Sequence, residues 1–177
     1  MRSTMELLLP ALAFVAMMGA ATPDTSQSSD PPGKLGMWEG RWSYSGHIYE
    51  TAYSHAHSDS GTVDCNWMPS RGYMVCDYIS NDPPHNDLSV FSYSSVAKAY
   101  THVEITQDAK PSWAKVTQSG NTWITSSELP SKGKTLVLRD VFVFLSPVKQ
   151  TTTVQVSADR GQSWITLIKI TAAKIGA

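Results

Sequence analysis

The stretch from Val63 to Tyr78, VDCNWMPSRGYMVCDY, predicts the fold of this chain. Its centre, Pro69 to Gly72, is typical of a tight turn because Pro, Ser and Gly favour chain reversal. A hairpin closed by this loop pairs Cys65 directly with Cys76, and it pairs Met68 with Tyr73, Trp67 with Met74 and Asn66 with Val75. We therefore predict two antiparallel strands, tied by a structural disulfide in an oxidising compartment.

Side-chain alternation gives this predicted hairpin one apolar face and one mostly polar face. The apolar face carries Val63, Cys65, Trp67, Met74, Cys76 and Tyr78. Such a hairpin is typical of an antiparallel sheet that covers a core on one side only.

The rest of the chain after Leu35 continues as short β-rich segments separated by turn residues, without apolar repeats at helical spacing. About ten antiparallel strands suit a closed barrel or a sandwich. We predict an all-β fold, a single antiparallel up-and-down barrel of about ten strands, because closure removes exposed strand edges. The candidate strands are 38–46, 49–57, 61–68, 72–80, 88–93, 99–106, 113–118, 121–127, 135–145, 149–157 and 163–172.

The composition fits one exported domain better than a nucleic-acid-binding one. The 177 residues include 14 Lys and Arg against 15 Asp and Glu, a formal net charge of −1. Hydroxyl side chains, 23 Ser and 16 Thr, supply most of the polarity. Binding to a phosphate backbone requires clustered basic residues, so nucleic acid is not an expected partner. No feature of the sequence indicates an oligomeric state.

The N-terminus has the pattern of a secretory signal peptide over residues 1–21, in which Arg2 precedes an apolar run and small residues follow. The alternative is an uncleaved anchor, but the run is shorter than the roughly 20 residues of a membrane span. Residues 22–33 hold no large apolar side chain, which predicts a disordered linker. We expect export to the periplasm or beyond, no membrane anchor, and one barrel domain over 34–177.

The segment from Ser157 to Trp164 fits the Asp-box pattern S-x-D-x-G-x-x-W. The pattern is a hairpin device in which Asp bonds turn amides, Gly allows a positive φ and Trp packs beneath. A single copy indicates a tight turn and carries no glycan chemistry by itself.

The opening motif places a Trp at the start of the first strand, where an indole can plug the end of a barrel. Together with the cysteine hairpin, Leu88 to Tyr93, Gly120 to Trp123 and the Asp-box turn, the motif Leu35-Gly36-x-Trp38-x-Gly40 resembles secreted members of the bacterial DUF1579 family. It more loosely resembles the calycin superfamily of lipocalin-like barrels with their G-x-W signature, which implies a barrel of lipocalin or calycin type. The resemblance implies a small exported barrel without known catalytic residues. Nitrobindin-type barrels open similarly but hold haem through a late histidine, whereas the last histidine here is His102.

The aromatic side chains suggest a ligand cavity, because a small barrel either fills its interior or holds one small ligand. We predict that the interior binds a small apolar or amphipathic molecule, without a cofactor. The alternative is a filled interior and a module whose Ser- and Thr-rich sheet faces a protein or glycan. The residues expected to line the cavity are Trp38, Trp42, Tyr44, Trp67, Trp123, Phe142 and Phe144.

His55 and His57 are weak candidates for a metal site, since an H-x-H pair on a strand projects from one face. His47, His102 or Asp59 would supply a third ligand. The pair sits in a polar run, where histidines are usually solvated, so no metal is predicted. Catalysis has little support because no G-x-S-x-G motif occurs and both cysteines are expected to be oxidised. Carboxylate pairs among Glu39, Glu50 and Glu104 stay open as acid–base candidates.

Overall fold

The computed structural model describes residues 32–68, 72–81, 86–106, 111–131 and 133–176. The predicted signal peptide, residues 22–31 of the predicted linker and the centre of the cysteine hairpin's turn lie outside these ranges. A short helix, α1 (Pro32–Leu35), precedes ten strands: β1 (Gly40–Ile48), β2 (His57–Trp67), β3 (Tyr73–Ser80), β4 (Asn86–Ser94), β5 (Ala99–Ile105), β6 (Pro111–Ser119), β7 (Thr122–Ser131), β8 (Lys134–Ser146), β9 (Lys149–Ser157) and β10 (Ile165–Lys174).

The strands form a closed antiparallel up-and-down barrel, which confirms the predicted fold class. Each strand pairs with its neighbours in sequence, and β1 pairs with β10 to close the ring. The closing register runs from Trp42 opposite Lys174 to Ile48 opposite Ile168. Closure leaves none of the ten described strands with an unpaired edge, which is how this architecture avoids association between exposed edges.

The cysteine hairpin has the predicted register. Cys65 lies opposite Cys76 and Trp67 lies opposite Met74 on β2 and β3. The two cysteines form a disulfide with a Cα–Cα distance of 4.0 Å. Both are buried, as is Met74, so the predicted apolar face is the one that points into the barrel. The disulfide is typical of an oxidising compartment.

The predicted strand 49–57 is wrong, because all of it but His57 forms a turn between β1 and β2. The backbone amide of Thr51 donates to the carbonyl of Ser54 at 2.9 Å. The hydroxyl of Ser54 donates to the carbonyl of Tyr49, and the amide of Ala56 donates to a carboxylate oxygen of Glu50. Short polar side chains thus give this backbone local partners that compete with a sheet ladder.

One end of the barrel is filled by aromatic rings. Trp38 precedes β1 instead of starting it, and its amide donates to the carbonyl of Leu35 at 3.0 Å. Its ring stacks on Phe91 at 4.9 Å between centroids and meets Phe142 and Phe144 edge-on at 4.7 and 5.0 Å. Trp38 is 1% exposed. Trp38 therefore plugs this end, as the opening motif suggests.

The Asp-box segment forms the tight turn between β9 and β10. The carboxylate of Asp159 accepts hydrogen bonds from the hydroxyl of Ser157 and from the amide and hydroxyl of Ser163. Gly161 has a φ of 90°, and the ring of Trp164 lies beneath it. The predicted hairpin device is confirmed.

Candidate functional site

The barrel interior has two halves with different content. The half near Trp38 is filled by the aromatic core, whereas the other half contains a cavity of about 190 Å³. The wall combines apolar side chains with hydroxyl, amide, imidazole and carboxyl groups. It is formed by Tyr44, Asp59, Val63, Tyr78, Asp87, Ser89, His102, Glu104, Asp140, Phe142, Gln150, Thr152, Val154, Ile168, Ile170 and Ala172.

Strand alternation explains how carboxyl groups reach the interior. Asp140 lies two residues before Phe142 on β8, so both side chains point inward. On β5, His102 and Glu104 share the inward face, and Asp87 occupies an inward position on β4. The carboxyl groups therefore come from separate strands and converge on one space.

Hydroxyl groups hold two of these carboxylates in place. Asp59 accepts a hydrogen bond from the hydroxyl of Ser80 at 2.6 Å and another from Tyr44 at 3.2 Å. Asp140 accepts a hydrogen bond from the hydroxyl of Thr125 at 2.8 Å. These neutral donors orient the carboxylates without supplying a positive charge.

Burial shifts the protonation of the cavity groups. It raises the pKa of Glu104 to about 7, and the nearby carboxylates of Asp140 and Asp87 add to this rise. Burial also raises the pKa of Asp140 to about 6, although the hydrogen bond from Thr125 opposes the shift. Burial lowers the pKa of His102 to about 4, so this imidazole is neutral near pH 7.

The two cavity tyrosines stay protonated at neutral pH. Burial and the adjacent carboxylate of Asp59 raise the pKa of Tyr44 to about 12. Burial likewise raises the pKa of Tyr78, and the carboxylates of Glu104 and Asp140 reinforce this effect. Both phenols therefore keep their protons at the cavity wall, and Tyr44 donates its proton to Asp59.

Two buried polar groups of the cavity wall have no hydrogen-bond partner among the described residues. They are the ring nitrogens of His102 and the Oε1 atom of Gln150. His102 is 3% exposed and Gln150 is 7% exposed. The imidazole stacks on Phe91 at 4.3 Å between centroids, which leaves its nitrogens directed along the ring plane. Buried polar groups normally have hydrogen-bond partners, so these atoms depart from the usual pattern.

The structure separates the aromatic residues that the sequence places together. Tyr44 and Phe142 line the cavity. Trp38, Trp42, Trp123 and Phe144 are buried in the aromatic core that fills the other half, and Trp67 packs partly buried against this core.

Sequence reasoning did not assign Asp140, Asp87, Tyr78 or Gln150 to the site, and it considered Glu104 only for acid–base chemistry. A usable signal existed for Asp140, since it has the same strand phase as Phe142.

His55 and His57 lie outside the barrel on the β1–β2 connection and the start of β2. The side chain of His55 is 98% exposed, and its Nδ1 atom lies 3.3 Å from a carboxylate oxygen of Glu50. The Nδ1 atom of His57 donates to the carbonyl of His55 at 2.9 Å. Among the described residues, no group of three or more His, Cys, Asp or Glu side chains could hold a metal ion.

No helix in the described part of the chain is long and apolar enough to cross a membrane. Neither a protein-family model nor a curated protein gives a significant match to this chain. Among solved structures, the crystal structure of Rv2717c from M. tuberculosis is similar, with a TM-score of 0.55 and 10% sequence identity. The match covers 81% of this chain and 96% of that chain. The likeness shows the fold alone, a closed barrel of lipocalin-like architecture.

Proposed function

We propose that this protein is an exported lipocalin-like barrel that binds one compact amphipathic molecule in the open half of its interior. The observation that carries the proposal is the cavity with the His102 ring nitrogens and Gln150 Oε1 in its wall, all buried and without a hydrogen-bond partner among the described residues. A ligand that hydrogen-bonds to these groups would remove the penalty of burying them unsatisfied, which is about 1 to 3 kcal/mol per group.

The size of the cavity limits the ligand. Its volume of about 190 Å³ lies below the roughly 300 to 1,000 Å³ of sites for drug-sized molecules. It exceeds the roughly 150 Å³ of an engineered apolar cavity that binds benzene. A molecule with one ring and a short polar arm would fit, its ring against Phe142, Ile168 and Ile170.

The buried disulfide supports the exported part of the proposal, because such bonds persist in oxidising compartments. The signal-peptide pattern of residues 1–21 and the resemblance to secreted DUF1579 proteins point the same way. The cavity also favours this function over the alternative of a ligand-free interaction module, because that alternative predicts a filled interior.

Neighbouring alanines on β10 offer a matched test. Ala172 is 3% exposed and lines the cavity, whereas Ala173 is the next residue and points to the opposite face. We expect the intact protein to bind at least one of benzylamine, benzyl alcohol or phenol below a Kd of about 1 mM, which is roughly −4 kcal/mol. Ala172→Leu should abolish this binding, and Ala173→Leu should retain it.

Ligand-observed NMR and intrinsic Trp fluorescence measure the binding, and urea unfolding verifies that both variants are folded. A wild-type protein that binds none of the probes would refute the proposed function. Equal binding by folded Ala172→Leu and the wild type would place the probes outside the cavity and refute it as well.

A further inference from the structure

We infer that the ligand is a small organic cation, a compact protonated amine whose ammonium group binds among the carboxyl groups of Asp59, Asp87, Glu104 and Asp140. This inference rests on the proposed function and adds the chemical class of the ligand.

The charges of the cavity wall are of one sign. Carboxyl groups from β2, β4, β5 and β8 face the cavity, and among the described residues its wall contains neither Lys nor Arg. The only nitrogen base in that wall is His102, which is buried and neutral near pH 7. Buried charges require pairing, and the groups that donate hydrogen bonds to Asp59 and Asp140 are neutral hydroxyl groups. A cationic ligand would supply the missing opposite charge.

The unsatisfied atoms of the wall favour a hydrogen-bond donor. The Oε1 atom of Gln150 accepts only, and a neutral imidazole such as His102 offers one accepting nitrogen. An ammonium group has three donors and no acceptor, so it suits the carboxylate oxygens and these accepting atoms. An anion would bring like charge beside Glu104 and Asp140 and would leave Gln150 Oε1 unsatisfied.

The apolar part of the wall accommodates the hydrocarbon of such an amine. Phe142, Val154, Ile168 and Ile170 line the same cavity as Glu104. The ring of the amine would lie against these side chains and its ammonium group would lie against the carboxylates. The apolar and charged parts of the molecule would thus match the apolar and acidic parts of the wall. Inorganic cations lack the hydrocarbon part and would leave the apolar side of the cavity empty.

Protonation of the carboxyl groups should compete with the amine. Burial and the neighbouring carboxylates raise the pKa of Glu104 to about 7, so at pH 5 this group is protonated and attracts a cation weakly. At pH 8 Glu104 and Asp140 are both ionised and the amine binds more tightly. The other titratable groups that face Glu104 across the cavity are Tyr44, Asp59, Tyr78, Asp87, His102 and Asp140.

Three probes with one benzene ring separate charge from shape: benzylamine, benzyl alcohol and benzoate. Isothermal titration calorimetry at pH 8 should give benzylamine the lowest Kd, at least about tenfold below that of benzyl alcohol, as a charge-assisted hydrogen bond predicts. Benzoate should bind most weakly. The Kd of benzylamine should rise at pH 5, whereas that of benzyl alcohol should change less.

Variants of the carboxyl groups identify the contact. Glu104→Gln and Asp140→Asn should each weaken benzylamine binding roughly 10- to 100-fold, the range for a hydrogen bond to a charged group. Each should also lose most of the wild type's preference for benzylamine over benzyl alcohol, and urea unfolding verifies that both variants are folded. The matched controls are the exposed carboxyl groups of Glu128 and Asp77, whose amide variants should bind benzylamine as the wild type does.

The outcomes distinguish this inference from the proposed function. If benzyl alcohol or benzoate binds as tightly as benzylamine, the inference of a cationic ligand is overturned, whereas the proposed ligand-binding function stands. Wild-type affinity for benzylamine in both Glu104→Gln and Asp140→Asn would overturn it in the same way. Failure of these three probes and of phenol to bind would refute the proposed function itself.

Discussion

Replacing Glu104 with Gln should stabilise the empty barrel at alkaline pH and not at acid pH. Glu104 lies in the cavity wall near Asp140 and Asp87, and both burial and these carboxylates disfavour its ionised form. Gln has nearly the same shape but cannot ionise. The variant therefore removes a charge that the empty cavity leaves unpaired.

The sign and magnitude follow from the shift in pKa. The pKa of Glu104 rises from the ordinary 4.5 to about 7 on folding. At pH 4 both folded and unfolded chains hold this proton, so the ionised form has no effect on stability. As the pH rises from 4.5 through 7, the unfolded chain releases the proton first and the wild type loses stability. With allowance for the partial exposure of Glu104, the wild type loses about 2 to 3 kcal/mol of unfolding free energy by pH 8. Glu104→Gln cannot ionise and does not show this loss.

Urea unfolding followed by Trp fluorescence at pH 4 and pH 8 measures the effect. We expect the difference in unfolding free energy between Glu104→Gln and the wild type to grow by about 2 to 3 kcal/mol from pH 4 to pH 8. Because folding lowers the pKa of His102, both the wild type and the variant lose stability as the pH falls below 6.5. This loss is the same in both proteins, so it cancels in the difference between their unfolding free energies. Glu128→Gln, an exposed control, should show no such growth. An equal difference at both pH values would refute the burial of an unpaired carboxyl group.

Three further substitutions test the fold. Replacing Cys65 and Cys76 together with Ser should lower the unfolding free energy by about 2 to 5 kcal/mol, and two free thiols in protein from an oxidising compartment would contradict the disulfide. Trp38→Ala should lower the unfolding free energy by about 3 to 5 kcal/mol, because Trp38 is 1% exposed. The control is Trp113→Ala, which should change it by less than about 0.5 kcal/mol because Trp113 is 72% exposed. Gly61→Ala should lower it by about 1 to 3 kcal/mol, since a Cβ atom would clash with the backbone oxygen of Ile79 on β3. Chemical denaturation measures all three, and wild-type stability of Trp38→Ala or Gly61→Ala would contradict the packing described.

The fold was predictable because its strongest signals are local. The cysteine hairpin sets its own register, since the turn between Cys65 and Cys76 leaves one antiparallel pairing that places the two side chains opposite each other. The number of strands followed from turn residues, except at residues 49–57. There Glu50, Thr51 and Ser54 bond locally, and no strand propensity reveals such bonds.

The cavity was less predictable, because the position of a residue along the barrel axis depends on all ten strands. Aromatic content indicated a lined interior, yet Trp38 and Trp123 pack at the filled end. On β5 the polar side chains of His102 and Glu104 point inward and the apolar Val103 points outward, opposite to the usual alternation. The phase of Asp140 with Phe142 on β8 was the one local indication of a buried carboxyl group.

A crystal structure of the protein grown with benzylamine at pH 8 tests the central claim most directly. We predict one molecule inside the barrel, its ring against Phe142 and Ile168 and its nitrogen about 2.7 to 3.1 Å from a carboxylate oxygen of Glu104 or Asp140. Benzylamine found only on the outer surface, or a barrel interior filled by rearranged side chains, would contradict the account.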